Sequence, residues 1–258
     1  GGGAIAEKYS QAFPCKIISA RKLNDEELTS WILKSTVLIH NEGLIQSESL
    51  DKYMESNFSL TKRILDLVYK VNPKIKFINI SSMSILANNN DYLSPDLMSD
   101  YAYSKYISEQ YCFEHPLKDL TNVRFSTIFY ENYSRDGISK MIFDSFTKNE
   151  IVIYNNGNAK RDIIPIRIVC KYLNKLSNSV SMNRKMNIVS GESISFKDVC
   201  EMLLTLNKSL IVQNKQIKTS LVLSEFSKKD IKNLGEIEFD LEEEINNYLS
   251  KLHENSNL

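Results

Sequence analysis

The chain carries no net charge: 32 lysines and arginines balance 32 aspartates and glutamates over 258 residues. A protein that grips a nucleic acid backbone or an anionic membrane surface by charge needs a surplus of cations, so neither partner is indicated. The four cysteines, Cys15, Cys112, Cys170 and Cys200, are widely spaced and form no C-x-x-C pair. The histidines His40, His115 and His253 make no cluster with them, and no metal site is expected. Three of the cysteines fall in apolar runs and read as reduced, buried thiols. No apolar stretch approaches the roughly 18 residues of a membrane span, and no signal peptide, internal repeat or low-complexity tract is visible. A cytoplasmic enzyme is the expectation.

What is present is an alternation of short apolar runs and longer periodic stretches. Strands are expected at 16–20, 36–40, 75–81, 122–126, 151–154 and 186–190. Between them, helices are expected at 4–13, 25–33, 57–69, 100–113, 138–147, 166–176 and 196–206. Asn24 is a suitable N-cap for the second helix, and Leu60, Ile64, Leu67 and Val68 share one stripe of the third. This order predicts an α/β fold, a doubly wound and mainly parallel sheet with helices on both faces. Ligands of such sheets sit at the carboxyl ends of the strands, where Arg21, His40 and Ser82 fall.

Ser82 closes the run Phe77-Ile78-Asn79-Ile80-Ser81-Ser82, and Tyr101-Ala102-Tyr103-Ser104-Lys105 follows at the start of a helix. Tyr101 and Lys105 are i and i+4, so they share a helix face. A free phenol has a pKa of about 10, and a nearby cation favours its ionised form. Lysine thus makes the tyrosine usable as an acid or base, while Ser82 can hydrogen-bond a substrate oxygen. A chain with thirteen tyrosines also meets Tyr-x-x-x-Lys by chance on an ordinary surface helix. The buried strand before Ser82 and the helix around Tyr101 favour the catalytic reading.

On these residues the chain resembles the extended short-chain dehydrogenase/reductases, the NAD(P)-dependent epimerase/dehydratase family that acts mostly on nucleotide sugars. Four further segments carry the resemblance. Gly1-Gly2-Gly3-Ala4-Ile5-Ala6 is similar to the end of the family's glycine-rich turn, and Val37-Leu38-Ile39-His40-Asn41-Glu42-Gly43 to its fourth strand. Gly157-Asn158-Ala159-Lys160-Arg161-Asp162-Ile163-Ile164 is similar to its Gly-x-x-x-Arg-Asp-Phe-Ile segment, and Met186-Asn187-Ile188-Val189-Ser190-Gly191 to its Tyr-Asn-Ile-Gly strand. The resemblance implies a Rossmann-like sheet with a small C-terminal substrate lobe. Residues 1–130, with returning elements at about 161–190, would bind the dinucleotide, and 131–160 and 191–258 would form the lobe. Gly1, Gly3 and Ile5 would lie along the cofactor with Tyr101 and Lys105. Ser82 and Arg161 would bind the nucleotide sugar, Arg161 through its diphosphate. A homodimer would form through the helices carrying Asn57 and Tyr101. Such a unit opens on a buried strand, whereas this sequence opens on the turn itself; the first, central strand is expected to be missing from the chain, with a flexible tail as the other reading of the glycines.

Where NAD enzymes of this type place an acid for the ribose hydroxyls, the chain has Arg21-Lys22. A guanidinium pairs with a 2′-phosphate, so NADP(H) is preferred and NAD(H) remains possible. Several residues depart from the family pattern. Met83-Ser84 replaces the acidic pair of 4,6-dehydratases, Leu86-Ala87 stands for Tyr-Gly, Thr127-Ile128-Phe129-Tyr130-Glu131 for Asn-Val-Tyr-Gly-Pro, and Glu42 for a small residue along the cofactor. Dehydration is therefore disfavoured. The leading expectation is an oxidoreductase that reduces a keto sugar on a nucleotide, or an epimerase. An NAD-dependent 4-epimerase and a catalytically idle dinucleotide-binding scaffold are the alternatives. His40 reads as a packing residue, and Arg161 has the plainer alternative of a salt bridge to Asp162.

Overall fold

The computed structural model describes residues 3–47, 49–87, 91–130, 136–180, 184–218 and 226–256. The chain begins with helix α1 (Ala4–Ala12), helix α2 (Asp25–Leu33) and strand β1 (Val37–His40). The start of α2 is set locally. Asn24 Oδ1 accepts from the Glu27 amide at 2.9 Å, and the Glu27 carboxylate accepts from the Asn24 amide at 3.0 Å, a reciprocal capping box. A long helical stretch follows as α3 (Leu50–Tyr53), a π-helical turn Met54–Ser59 and α4 (Leu60–Val71). Next come β2 (Lys76–Ser82), α5 (Asp100–Glu114), β3 (Leu120–Phe125) and β4 (Thr127–Phe129). After α6 (Gly137–Thr147) the chain forms β5 (Glu150–Tyr154), β6 (Lys160–Pro165), α7 (Ile166–Asn178), β7 (Lys185–Ile188) and β8 (Ser193–Ser195). Helix α8 (Phe196–Leu206), β9 (Ile211–Lys215), α9 (Lys229–Leu234) and α10 (Leu241–Ser256) complete it.

The chain divides into two compact units, Gly1–Phe125 with Cys170–Ile188 and Ser126–Val169 with Val189–Leu258. The first holds a four-stranded, all-parallel sheet of order β1-β2-β3-β7, which is Rossmann-like. Parallel strands covered on both faces read as continuous apolar runs, and Phe77, Ile78 and Ile80 of β2 are all buried. The polar member of that run, Asn79, is satisfied inside by donating to Asn122 Oδ1 at 2.8 Å. Leu28 and Ile32 of α2 pack with Ile64, Leu65 and Val68 of α4 against Phe77. Full burial of each such side chain stabilises the fold by about 1.5–3 kcal/mol.

The strand expected at 16–20 does not form. Ser19 is extended, but the segment runs into a 3-10 turn at Ala20–Lys22, Ile17 is exposed, and β1 pairs only with β2 among the described strands. A strand is defined by its ladder partner, and apolar content at 16–20 supplies none. Arg21 therefore lies in a turn and not at a strand end. The second unit contains a three-stranded sheet, β4-β6-β8, and a parallel pair, β5-β9, over a core that includes Phe129, Ile142, Ile163, Val199 and Tyr248. No helix among the described residues is long and apolar enough to cross a membrane.

Candidate active site

The carboxyl end of β2 carries Ser82, whose Oγ accepts from the Ser84 amide at 3.2 Å and lies 2.9 Å from the Ser84 hydroxyl. A 3-10 turn, Met83–Ile85, follows, with Met83 and Ile85 buried. Helix α5 is started by Ser99, whose hydroxyl accepts from the Ala102 amide at 3.2 Å. Its first turn presents Tyr101 toward Ser82, near enough for the serine hydroxyl to act on the phenol. One turn further on, Lys105 Nζ donates to the Ile80 carbonyl of β2 at 2.9 Å. The structure thus brings Ser82, Tyr101 and Lys105 to one strand end.

Their electrostatics differ from the sequence expectation. Burial raises the Tyr101 pKa; the Ser82 hydroxyl opposes this, and Tyr53 adds to it. Burial also lowers Lys105 to about 8, against smaller opposing effects of Cys112 and Glu109. The expected depression of the phenol by lysine is not what these surroundings produce. The ammonium is committed to a main-chain carbonyl, and the phenol sits among neutral groups that favour its protonated form.

The neighbouring loop is held by residues that motif spacing alone undervalues. Asn57, fully buried in the π-helical turn, accepts from the Leu44 amide at 2.6 Å and donates to the Leu44 carbonyl at 3.0 Å. Its amide also donates to Ser104 Oγ at 3.0 Å, and Ser104 in turn donates to the Tyr101 carbonyl at 2.8 Å. Tyr53, one turn before Asn57, sets its ring edge-on to Tyr101 at 6.0 Å between centroids. Its hydroxyl donates to Ile45 O at 3.1 Å and accepts from the Ser47 amide at 2.9 Å. The sequence signal for this clasp is the i, i+4 pair Tyr53 and Asn57. Between them Gly43 leaves no room: a Cβ there would lie 2.9 Å from Asn57 Oδ1 and 3.4 Å from Lys105 Nζ.

His40 is a packing residue. Thr61 Oγ1 gives its proton to Asn57 O at 2.8 Å and therefore accepts at 2.9 Å from His40 Nε2. Burial, then the charges of Lys105 and Arg21, push its pKa down to about 3, so it is neutral. Arg161, in β6 of the second unit, donates to the Lys160 carbonyl at 2.9 Å, and burial lowers its pKa. Asp162 faces the other way along the strand. It accepts from Ser190 N, Ser190 Oγ and Gly191 N at 2.8, 2.9 and 2.7 Å, and so holds the turn after β7.

A dinucleotide fits the donor set of the first unit. Gly3 caps α1 without a side chain, which leaves the first-turn amides facing outward at the positive end of the helix. Ile5 has its side chain buried, so its amide is what it offers; Gly1 lies outside the described residues. The Lys105 ammonium has three donors and, among the described residues, one acceptor, the Ile80 carbonyl. Arg21 is half-exposed, with Nε 3.5 Å from Glu42 Oε1. Among the described residues no group of three His, Cys, Asp or Glu side chains could hold a metal.

A family model described as the NAD dependent epimerase/dehydratase family matches residues 7–188. No curated protein sequence matches the chain. The fold is similar to that of the NAD-dependent NDP-hexosamine 5,6-dehydratase TunA of tunicamycin biosynthesis, at 19% identity and a TM-score of 0.80 over 98% of this chain and 96% of that one. It is also similar to RMD from Pseudomonas aeruginosa, solved with NADPH, at 13% identity and a TM-score of 0.81 over 96% of each chain. A third similar structure is UDP-glucuronic acid 4-epimerase from Bacillus cereus with UDP-glucuronic acid and NAD, at 16% identity and a TM-score of 0.75 over 91% of this chain and 81% of that one.

Proposed function

The chain belongs to the NAD-dependent epimerase/dehydratase family, and within it we propose that it reduces a keto sugar carried on a nucleotide. The observation that carries this reading is Lys105, one turn after Tyr101 on α5, anchored to the Ile80 carbonyl of the strand that ends at Ser82. Relatives of the same fold solved with UDP-glucuronic acid and NAD, or with NADPH, support the substrate and cofactor classes. A bound nicotinamide dinucleotide supplies or accepts the hydride. Ser82 holds the substrate oxygen beside the phenol. Tyr101, kept protonated by burial, gives its proton to that oxygen, and Lys105, anchored to the Ile80 carbonyl, would hold the nicotinamide ribose. Run backwards, Tyr101 accepts the proton from a sugar hydroxyl.

Dehydration of the 4,6 type lacks its acid pair here. Met83 is buried and Ser84 is spent on Ser82, so neither can remove and return a proton. Arg161 is proposed to contact the diphosphate, and Arg21 to read a 2′-phosphate, with a homodimer as the working assembly. The contact between Arg21 and Glu42 favours a second reading, an NAD-dependent 4-epimerase, because it places a carboxylate where an NAD enzyme uses one. Keto-sugar nucleotides mixed with reduced cofactor separate the two. Stoichiometric loss of nicotinamide absorbance with a reduced sugar supports the reductase, and an inverted sugar without net cofactor change supports the epimerase. Neither product from a panel of such sugars would overturn both.

A further inference from the structure

The turn that carries Arg21 is tied to α4 by a second charged residue. Arg63 of α4 donates to the Leu23 carbonyl at 2.8 Å and the Ala20 carbonyl at 3.3 Å, and binds Asp25 at 2.8 Å through Nε. Into this corner comes Glu42, from the loop after β1. Its carboxylate accepts from Ser19 Oγ at 2.9 Å and from the Arg21 amide at 3.4 Å, and lies 3.5 Å from Arg21 Nε. The two side chains differ in exposure, 48% for Arg21 and 11% for Glu42. The carboxylate is thus a fixed part of the site, and it engages the guanidinium from the Nε side. The two terminal nitrogens of Arg21 carry no hydrogen bond among the described residues.

We propose that Glu42 is a determinant of cofactor choice, acting as the counter-charge of Arg21 and as an acceptor for an unmodified ribose. The inference rests on the dinucleotide reading above. Arg21 alone would favour a 2′-phosphate, since its open terminal nitrogens match a phosphate fork. Glu42 cancels much of that charge at close range and repels a phosphate directly, whereas ribose hydroxyls can donate to it. The corner therefore tolerates NAD(H) beside NADP(H), and the selectivity lies in the pair and not in the turn residues alone.

Fluorescence titration of NADPH and NADH into the whole chain and its Glu42→Gln, Arg21→Ala and double variants tests this. The carboxamide keeps an acceptor for Ser19, and thermal melts establish that each variant is folded. Glu42→Gln should raise the ratio of NADPH to NADH affinity by about tenfold, and Arg21→Ala should lower it by about as much. Without Arg21, the gain from Glu42→Gln should shrink to about threefold or less. A ratio unchanged by Glu42→Gln, or equal weakening of both cofactors, overturns the inference and leaves the dinucleotide reading standing. Failure of the unaltered chain to bind either cofactor overturns both.

Discussion

Replacing Asn57 tests how the site is held, and the structure sets the size of the effect. Its side chain makes three hydrogen bonds, two to Leu44 and one to Ser104, from a position with no exposed surface. Each contributes about 1 kcal/mol net, and Leu44 N and O would be left without their partner in a partly buried loop, so removal should cost about 3 kcal/mol. Leucine keeps the branching of asparagine but is bulkier, so it removes the polar contacts without opening a cavity and any crowding adds to the loss. For a chain of this size the loss corresponds to a fall in Tm of roughly 6–12 °C. Asn57→Leu should also lower kcat/KM by more than its effect on cofactor affinity, because Ser104 is bonded to the Tyr101 carbonyl and Gly43 packs beside Lys105. Thermal and urea unfolding, run beside steady-state kinetics, measure both. An Asn57→Leu variant with wild-type stability and turnover would refute the clasp.

The other predictions concern the same neighbourhood. The His40 pKa is lower in the fold, about 3, than its ordinary 6.5, so acid protonates the unfolded chain first. Its neutral form therefore costs nothing above about pH 6.5, and stability falls as pH drops from there toward 3, by about 3 kcal/mol at pH 4. His40→Gln, with no such group, should flatten this acid limb in urea midpoints taken between pH 7 and 4; parallel profiles would contradict the assignment. Gly43→Ala places a methyl 2.9 Å from Asn57 Oδ1 and should destabilise by about 1–3 kcal/mol while slowing turnover, as read by melting temperature and kcat. An unchanged melting temperature would show that the loop has slack.

Some of this was legible because its causes are local. Asn24 as an N-cap gave α2 its start, and the apolar run to Ile80 followed by serine gave β2 its end. The i, i+4 spacing of Tyr101 and Lys105 placed both on α5. Other elements have no such signature. Apolar content at 16–20 suggested a strand, yet pairing is a long-range property that no window of sequence contains. β9, at Ile211–Lys215, carries mostly exposed polar residues and exists through its ladder with β5. The π-helical turn that aims Asn57 is set by packing and not by propensity. The raised Tyr101 pKa and the reach of Glu42 to Arg21 likewise depend on which groups the fold gathers, and spacing could not reveal either.

The central claim is that Tyr101 exchanges the proton at the substrate oxygen. Its most direct test is Tyr101→Phe, with keto-sugar turnover and reduced-cofactor binding measured on the same preparation. The phenyl ring retains the edge contact with Tyr53 and removes only the hydroxyl. The account predicts turnover lowered by about 100-fold or more with cofactor affinity nearly unchanged. Turnover within a few-fold of the unaltered protein would contradict it.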